Sequence, residues 1–307
     1  MRVPPSIPES LARNVVEMRG DAGAEWLERL PELVERYARQ WFLEVYPPFP
    51  SLSVNWVAPA VRADGTRTVL KLSFPGDREF KSEAQALEIF DGRGVARLLE
   101  LDLERGVMLL ERLEPGAPLA TLEDDEEATS IAAGVMKKMR RPAPPKGPFP
   151  TVFERTRGLA RLRKHFDGGT GPMPTDLVDE AESLFADLIP SQDEPVLLHG
   201  DLHHENILKA RRSPWLAIDP KGVVGEPAFD VGALLHNPVE LLERPNPKKI
   251  LERRIRILSE ELDIDRARIV GWGISQAVLA AYWSLEDSGR VWEEALVFAR
   301  LLSATQS

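Results

Sequence analysis

The chain has 307 residues, 43% apolar and 29% charged, with 49 acidic against 39 basic side chains and a net charge of −10. That composition supports one large or two modest packed domains and excludes a disordered chain. The lack of cysteine excludes disulfides, thiolate metal sites and cysteine nucleophiles. Apolar runs fall far short of the ~20 residues of a membrane span. Lys and Arg dispersed under a net negative charge argue against nucleic acid as a partner, and the acidic balance suits a cationic small ligand. Met1-Arg2-Val3-Pro4-Pro5 leads into polar residues rather than an apolar stretch, so a cytoplasmic protein with no membrane partner is expected, as a monomer or weak homodimer.

Residues 21–46 carry Trp26, Leu27, Leu30, Leu33, Val34, Tyr37 and Trp41 at three- and four-residue spacing, which predicts an amphipathic helix. The run Tyr46-Pro47-Pro48-Phe49-Pro50 stops it. Strand-like runs at 54–61 and 68–72 then flank Ala63-Asp64-Gly65-Thr66, an Asp-Gly hairpin signal. A helix is expected at 79–90, with Phe80, Ala84 and Leu87 on one face, and a second hairpin at 96–103 and 107–113 turning at Arg105-Gly106. The first third therefore reads as a small antiparallel sheet with one helix inserted between strands.

Beyond Pro115-Gly116 the pattern is helical. Thr121 is placed to cap a helix whose first turn carries Glu123, Asp124, Asp125, Glu126 and Glu127 and whose last turn carries Lys137, Lys138 and Arg140. That polarity matches the helix dipole and gives the acidic run a structural explanation. Five prolines within 141–150 predict an extended connector. Helices near 151–166 and 175–189 flank Asp167-Gly168-Gly169-Thr170-Gly171-Pro172, which no strand enters and which reads as a plain loop rather than a phosphate cradle. From about 228 onward the chain is helical, with Trp272, Trp283 and Trp292 expected in the core.

The segment that carries chemistry is Val196-Leu197-Leu198-His199-Gly200-Asp201-Leu202-His203-His204-Glu205-Asn206-Ile207-Leu208, followed by Trp215-Leu216-Ala217-Ile218-Asp219-Pro220. A hairpin turning at 210–214 would bring Asn206 and Asp219 together as two oxygen ligands for a hard cation such as Mg²⁺. Asp201 would sit across the loop, able to take a hydroxyl proton. Phosphoryl transfer requires this combination, because positioning and charge neutralisation do most of its work.

His199-x-Asp201-x-x-x-x-Asn206 followed by an apolar strand ending in Asp219 resembles the catalytic and metal-binding loops of the protein-kinase-like fold. The His-Gly-Asp-Leu-His form resembles its aminoglycoside phosphotransferase branch. The longer strings 198–208 and Ala217-Ile218-Asp219-Pro220-Lys221-Gly222-Val223-Val224-Gly225, with Val69-Leu70-Lys71-Leu72 and Leu109-Leu110-Glu111-Arg112-Leu113-Glu114-Pro115-Gly116, are similar to the streptomycin 6-kinase and hydroxyurea phosphotransferase group. The resemblance implies an α+β bilobal fold: a nucleotide-binding lobe over 1–112, containing the 21–46 helix and the sheet, and a helical lobe over 113–307 with the catalytic loop 199–206 and the acceptor site. ATP or GTP would lie between the lobes.

Residue by residue, the resemblance makes Asp201 the catalytic base and Asn206 and Asp219 the Mg²⁺ ligands. Lys71 grips the α/β-phosphates. Its partner is a glutamate about a dozen residues on; Glu79 and Glu83 both fit, and Glu83, flanked by Phe80 and Leu87, is preferred because it faces the sheet. Glu111 and Leu113 belong to the hinge whose backbone meets adenine. Asp230 braces the catalytic loop, and His199 is a structural member of that loop. Two departures stand out. The nucleotide-covering loop at 47–53 has no glycine, which leaves Ser51 and Ser53 to supply hydroxyls or amides. The position two after the catalytic aspartate, lysine in protein kinases, is His203, as in aminoglycoside kinases; Lys221 is expected to supply positive charge near the transferred phosphoryl.

The acceptor is expected to be a small hydroxyl compound, cationic if it is streptomycin-like, or hydroxyurea; a sugar or amino-alcohol metabolite is the alternative. Glu205 and Glu226 are candidates to meet an amino or guanidino group, although a solvent-facing role is expected for each. Two further readings are a catalytically silent nucleotide-binding protein of the same fold and a metal-dependent hydrolase built on His199, Asp201, His203, His204 and Glu205. The latter lacks converging ligands, since His165 and His236 are the only other histidines.

Overall fold

In the computed structural model, which describes residues 6–50 and 52–305, the amino-terminal pattern forms two helices, α1 (Glu9–Arg19) and α2 (Asp21–Gln40). Gly20, at φ 58°, makes the elbow between them. Gly23 lets them pack closely, since a Cβ there would lie 2.6 Å from the Val15 carbonyl oxygen. The helix expected to reach residue 46 stops at Gln40. Phe42 takes φ 55°, and β1 (Leu43–Val45) pairs with β2 (Trp56–Arg62), Leu43 opposite Arg62. Helical spacing cannot register that sheet pairing offers Leu43 a buried face; the long-range ladder overrides the local pattern.

β2 and β3 (Arg67–Leu72) form the expected hairpin, with Gly65 at φ 86° and Asp64 Oδ1 accepting the Thr66 amide at 2.8 Å. α3 (Arg78–Phe90) follows, then the hairpin of β4 (Leu98–Asp102) and β5 (Val107–Glu111). The antiparallel sheet has the order β1-β2-β3-β5-β4. Trp56, Leu70, Leu72, Val107 and Leu109 join Leu30 and Tyr37 of α2 in one apolar core. These elements make one compact unit, running to Gly92 and resuming over Ala96–Glu114; Arg93–Val95 group with the second unit, which continues from Pro115. Val95 bridges Ala217 and the Gly94 carbonyl accepts the Ala217 amide at 2.7 Å.

The second unit opens with β6 (Pro115–Pro118), a 3₁₀ turn and α4 (Asp125–Met139). The cap of α4 is Asp124, whose carboxylate accepts the Glu126 and Glu127 amides; Thr121 belongs to the 3₁₀ turn and its hydroxyl goes to the Pro118 carbonyl. Within the acidic first turn, Asp125 is buried against Arg254. β7 (Arg141–Pro142) starts the proline-rich connector, then come α5 (Val152–His165), α6 (Thr175–Leu188), β8 (Val196–Leu198), β9 (Ile207–Ala210), β10 (Trp215–Ala217) and β11 (Val223–Gly225). Two three-stranded sheets result, β10-β9-β6 and β11-β8-β7.

The remainder is helical: α7 (Ala228–Leu235), α8 (Pro247–Leu262), α9 (Arg266–Ser288) and α10 (Glu293–Ser303). The α9 helix packs against α5, α6, α7, α8 and α10 and is buried without interruption from Ile269 to Leu279, as expected of a helix apolar on all sides. Of the three tryptophans expected in the core, only Trp272 is fully buried. Trp283 and Trp292 are half-buried, with Arg155 at 5.8 Å over Trp283 and His236 at 5.7 Å against Trp292. Among the described residues, no helix is long and apolar enough to cross a membrane.

Candidate active site

In the first unit, β3 carries Lys71 opposite Met108 of β5 and Val57 of β2. Asp77 caps α3 by accepting the Glu79 and Phe80 amides. Phe80, Ala84 and Leu87 bury one helix face, and Glu83 shares it. Lys71 Nζ accordingly lies 2.7 Å from both carboxylate oxygens of Glu83, with both side chains 7% exposed. Glu79, on the first turn, is exposed.

In the second unit, β8 delivers the chain into 199–206. Gly200 turns at φ 84°, where a Cβ would lie 2.5 Å from Val223 Cγ2. Both Asp230 oxygens accept backbone amides of this turn, from His199 at 2.8 Å and Gly200 at 2.7 Å. His199 is fully buried; its Nε2 lies 2.8 Å from the Ile218 carbonyl and its Nδ1 accepts the Asp201 amide at 3.3 Å. Those partners assign the neutral Nε2–H tautomer. The Asp201 carboxylate remains 42% exposed, with His203 Nε2 at 4.0 Å.

The β9–β10 register, Ile207 opposite Ala217, seats the Ile218 amide on the Asn206 carbonyl at 2.9 Å. Asn206 Nδ2 donates to the Asp201 carbonyl at 3.0 Å and lies 3.0 Å from His203 Nε2, which directs Oδ1 as the outward end of the amide. Asp219 follows in a left-handed conformation at φ 59°, with Lys221 Nζ at 3.1 Å from its Oδ2. One amide oxygen and one carboxylate are the hard donors that suit Mg²⁺. Among the described residues, no three His, Asp or Glu side chains gather as a metal site. His204 turns inward to burial while His199 is spent on Ile218, so the histidine cluster does not converge as a hydrolase centre would require.

Burial pushes His199 and His236 down to about 4 and His204 well below its ordinary range. Burial pushes Asp230 up to about 7, outweighing the pull of the Gly200 and His199 amides. An imidazole held neutral contributes stability that is fully present above its ordinary 6.5 and is lost as pH falls toward about 4. Asp230 acts oppositely, its contribution present below 3.8 and lost as pH rises through about 7. Three imidazoles outweigh one carboxyl. The thermal midpoint is therefore expected to rise from about pH 4.5 to about pH 6.5; a midpoint that falls across that interval in a buffer series would contradict this balance.

The other predicted residues lie as follows. Glu111 ends β5 with its amide on the Arg97 carbonyl at 2.8 Å, and Leu113 is buried. Ser53 is exposed, whereas Ser51 lies outside the described residues. Glu205 is exposed, but Glu226 is not the solvent-facing residue expected: it is buried, paired with Arg268 and hydrogen-bonded to Trp272 Nε1. Sequence reasoning also missed the buried Asp125–Arg254 pair of α4 and α8. Arg254 additionally donates to the carbonyls of Leu234 and Asn237 at 2.9 and 2.7 Å. No local signal marks an ion pair whose members lie 129 residues apart.

A family model described as aminoglycoside/hydroxyurea antibiotic resistance kinase matches residues 47–288. Streptomycin 6-kinase of Streptomyces griseus is 35% identical over 291 residues, covering 92% of this chain and 91% of its own. Hydroxyurea phosphotransferase of Kitasatospora aureofaciens is 34% identical over 290 residues, covering 92% and 81%. Among solved structures, aminoglycoside phosphotransferase APH(4)-Ia in a complex with ADP and hygromycin B aligns with a TM-score of 0.60 at 14% identity, over 88% of this chain and 96% of that one. Choline kinase LicA of Streptococcus pneumoniae aligns at 0.62 and 15% identity, over 90% and 99%. These structures establish the protein-kinase-like fold. With the match over 47–288 and relatives sharing a third of their residues across nearly the whole chain, the chain belongs to the aminoglycoside/hydroxyurea antibiotic resistance kinase family.

Proposed function

We propose that this chain transfers the γ-phosphate of ATP to a hydroxyl group of a small antibiotic-type acceptor, streptomycin-like or hydroxyurea. The observation that carries the reading is the loop geometry, in which hydrogen bonds tie the Asp201 backbone to the His199 and Asn206 side chains and the Asn206 carbonyl to the Ile218 amide next to Asp219. The identity to streptomycin 6-kinase and hydroxyurea phosphotransferase supports the acceptor class.

Asp201 takes the proton of the attacking hydroxyl. Its backbone is held at both ends, by His199 Nδ1 and by the Asn206 side chain, so the exposed carboxylate is oriented without being neutralised by a close cation. Asn206 Oδ1 and the Asp219 carboxylate are the ligands for Mg²⁺. When bound, that ion neutralises charge developing on the phosphate oxygens. Lys71, aimed by Glu83, holds nucleotide phosphates. The backbone of the segment from Glu111 to Leu113 meets adenine, with the Glu111 amide held on the Arg97 carbonyl. His203 flanks both Asp201 and Asn206 and keeps the loop in register, while Asp230 fixes its start.

Lys221 brings its ammonium to Asp219 and adds positive charge where the phosphoryl moves. Lys221→Ala is expected to reduce turnover about tenfold, since a charge-assisted contact is worth about 1.4 kcal/mol or more. An unchanged turnover number would remove this role. The acceptor is tested by ADP release with ATP and with GTP against streptomycin, other aminoglycosides, hydroxyurea, sugars and amino alcohols. The expected result is ATP- and Mg²⁺-dependent release with an aminocyclitol antibiotic or hydroxyurea. Release with sugars or amino alcohols alone would reassign the acceptor, and none with any compound would point to a silent nucleotide-binding protein.

A further inference from the structure

Helix α1 lies before the stretch that the family model matches, yet its side chains reach both parts of the first unit assigned above to the nucleotide. Leu11 and Val15, one turn apart, are buried in the core and fix the helix in place. Ser10 and Asn14, also one turn apart, face the segment between β1 and β2. Ser10 Oγ donates to the Leu52 carbonyl and Asn14 Nδ2 to the Ser53 carbonyl, each at 3.1 Å. The segment preceding α1 is seated as well, the Ser6 carbonyl accepting Trp56 Nε1 at 3.1 Å.

At its other end α1 presents Arg19. That guanidinium pairs with Asp77 Oδ2, while Asp77 Oδ1 caps α3. It also lies 5.2 Å from the Phe74 ring centroid, and Trp26 of α2 packs edge-on against the same ring at 6.3 Å. The connection from Lys71 to the helix of Glu83 is thus gripped from the α1–α2 elbow.

A planar trans peptide points its N–H opposite to its C=O. Tying the carbonyls of residues 52 and 53 to α1 therefore turns the amides of Ser53 and Val54 away from it, as two consecutive donors. Successive backbone amides of this kind bind phosphate oxygens, and a kinase loop normally relies on glycine to bring them close. Here the loop has no glycine, and an outside helix does the aiming.

We propose that α1 is a positioning element of the nucleotide site: Ser10 and Asn14 aim the Ser53 and Val54 amides at the phosphates, and Arg19, through Asp77, holds the helix that carries Glu83. The proposal rests on the reading that Lys71 and the β1–β2 segment meet the nucleotide. Its test is calorimetric titration of the full chain with the non-hydrolysable analogue AMP-PNP and Mg²⁺, which needs no acceptor.

Ser10→Ala with Asn14→Ala is expected to weaken AMP-PNP binding about fivefold to tenfold. Arg19→Ala should weaken it about threefold, with Arg19→Lys restoring most of the loss. Leu11 and Val15 are untouched, so the thermal midpoint should move little. Unchanged affinity in both variants, or a loss that merely follows a lowered midpoint and that Arg19→Lys does not repair, overturns the proposal. Lys71→Ala separates the two levels. If it abolishes binding while the α1 variants bind normally, the proposal alone fails; if it too binds normally, the underlying reading fails and takes the proposal with it.

Discussion

Asp201→Asn should lower phosphoryl transfer about a hundredfold to ten-thousandfold, the range that a positioned general base supplies. The substitution is isosteric, and the loop is held through the Asp201 backbone rather than its carboxylate. Thermal midpoint and AMP-PNP affinity should accordingly match wild type. The amide cannot take the hydroxyl proton, so the loss should appear in kcat and leave both KM values nearly unchanged. Single-turnover measurement with the acceptor found in the ADP-release screen is the check. Wild-type turnover in this variant would mean that the proton goes elsewhere.

Arg254→Met should destabilise the chain by about 3–5 kcal/mol, because it leaves the buried Asp125 carboxylate with only the partly exposed Arg253 at 3.6 Å from Oδ2. Asp125 and Arg254 are each 4% exposed at the side chain, with Arg254 Nε at 2.9 Å from Asp125 Oδ1. The arginine also satisfies two carbonyls that follow or end α7, Leu234 and Asn237. Those acceptors would lose their donor together with the ion pair. Replacing both charged partners at once, with Asp125→Leu beside Arg254→Met, should recover part of the loss, since two apolar groups leave no unpaired charge. Urea denaturation of the two variants distinguishes these outcomes. If the single variant loses less than about 1 kcal/mol, Arg253 or water compensates Asp125 and the Arg254 pair does not carry the stability assigned to it.

The two hairpins were legible because each turns on residues adjacent in sequence, Asp64-Gly65 and Arg105-Gly106, whose glycines adopt φ 86° and 67°. The α3 face was equally legible: Glu79 and Glu83 both fit by distance from Lys71, and the helical spacing of Phe80, Glu83 and Leu87 favoured Glu83, which the Lys71 pair matches. The order Asp201, Asn206, Asp219 carries its chemistry in spacing, because a four-residue strand, a short turn and a three-residue strand fold back on themselves. Residues whose partners are distant were misread or missed. Glu226 looks like a surface acid until Arg268 arrives from 42 residues away, and nothing local marks the pairing of Asp125 with Arg254, 129 residues on. Thr121 looks like a cap until the chain spends it on a 3₁₀ turn and passes the role to Asp124.

The sequence by itself determined the antiparallel sheet with its inserted helix, the loop that carries the candidate chemistry and the family resemblance, since all rest on short-range periodicity, turns and spacing. The tertiary structure alone decided where the amino-terminal helix breaks, that Leu43–Val45 joins the sheet as an edge strand, which acids are buried, and that α1 ties down a glycine-free loop. Each of these depends on free energy gained only when segments far apart in the chain meet: a ladder hydrogen bond, a desolvated ion pair, a carbonyl finding its donor. Local pattern has no access to those terms until the fold brings the groups together.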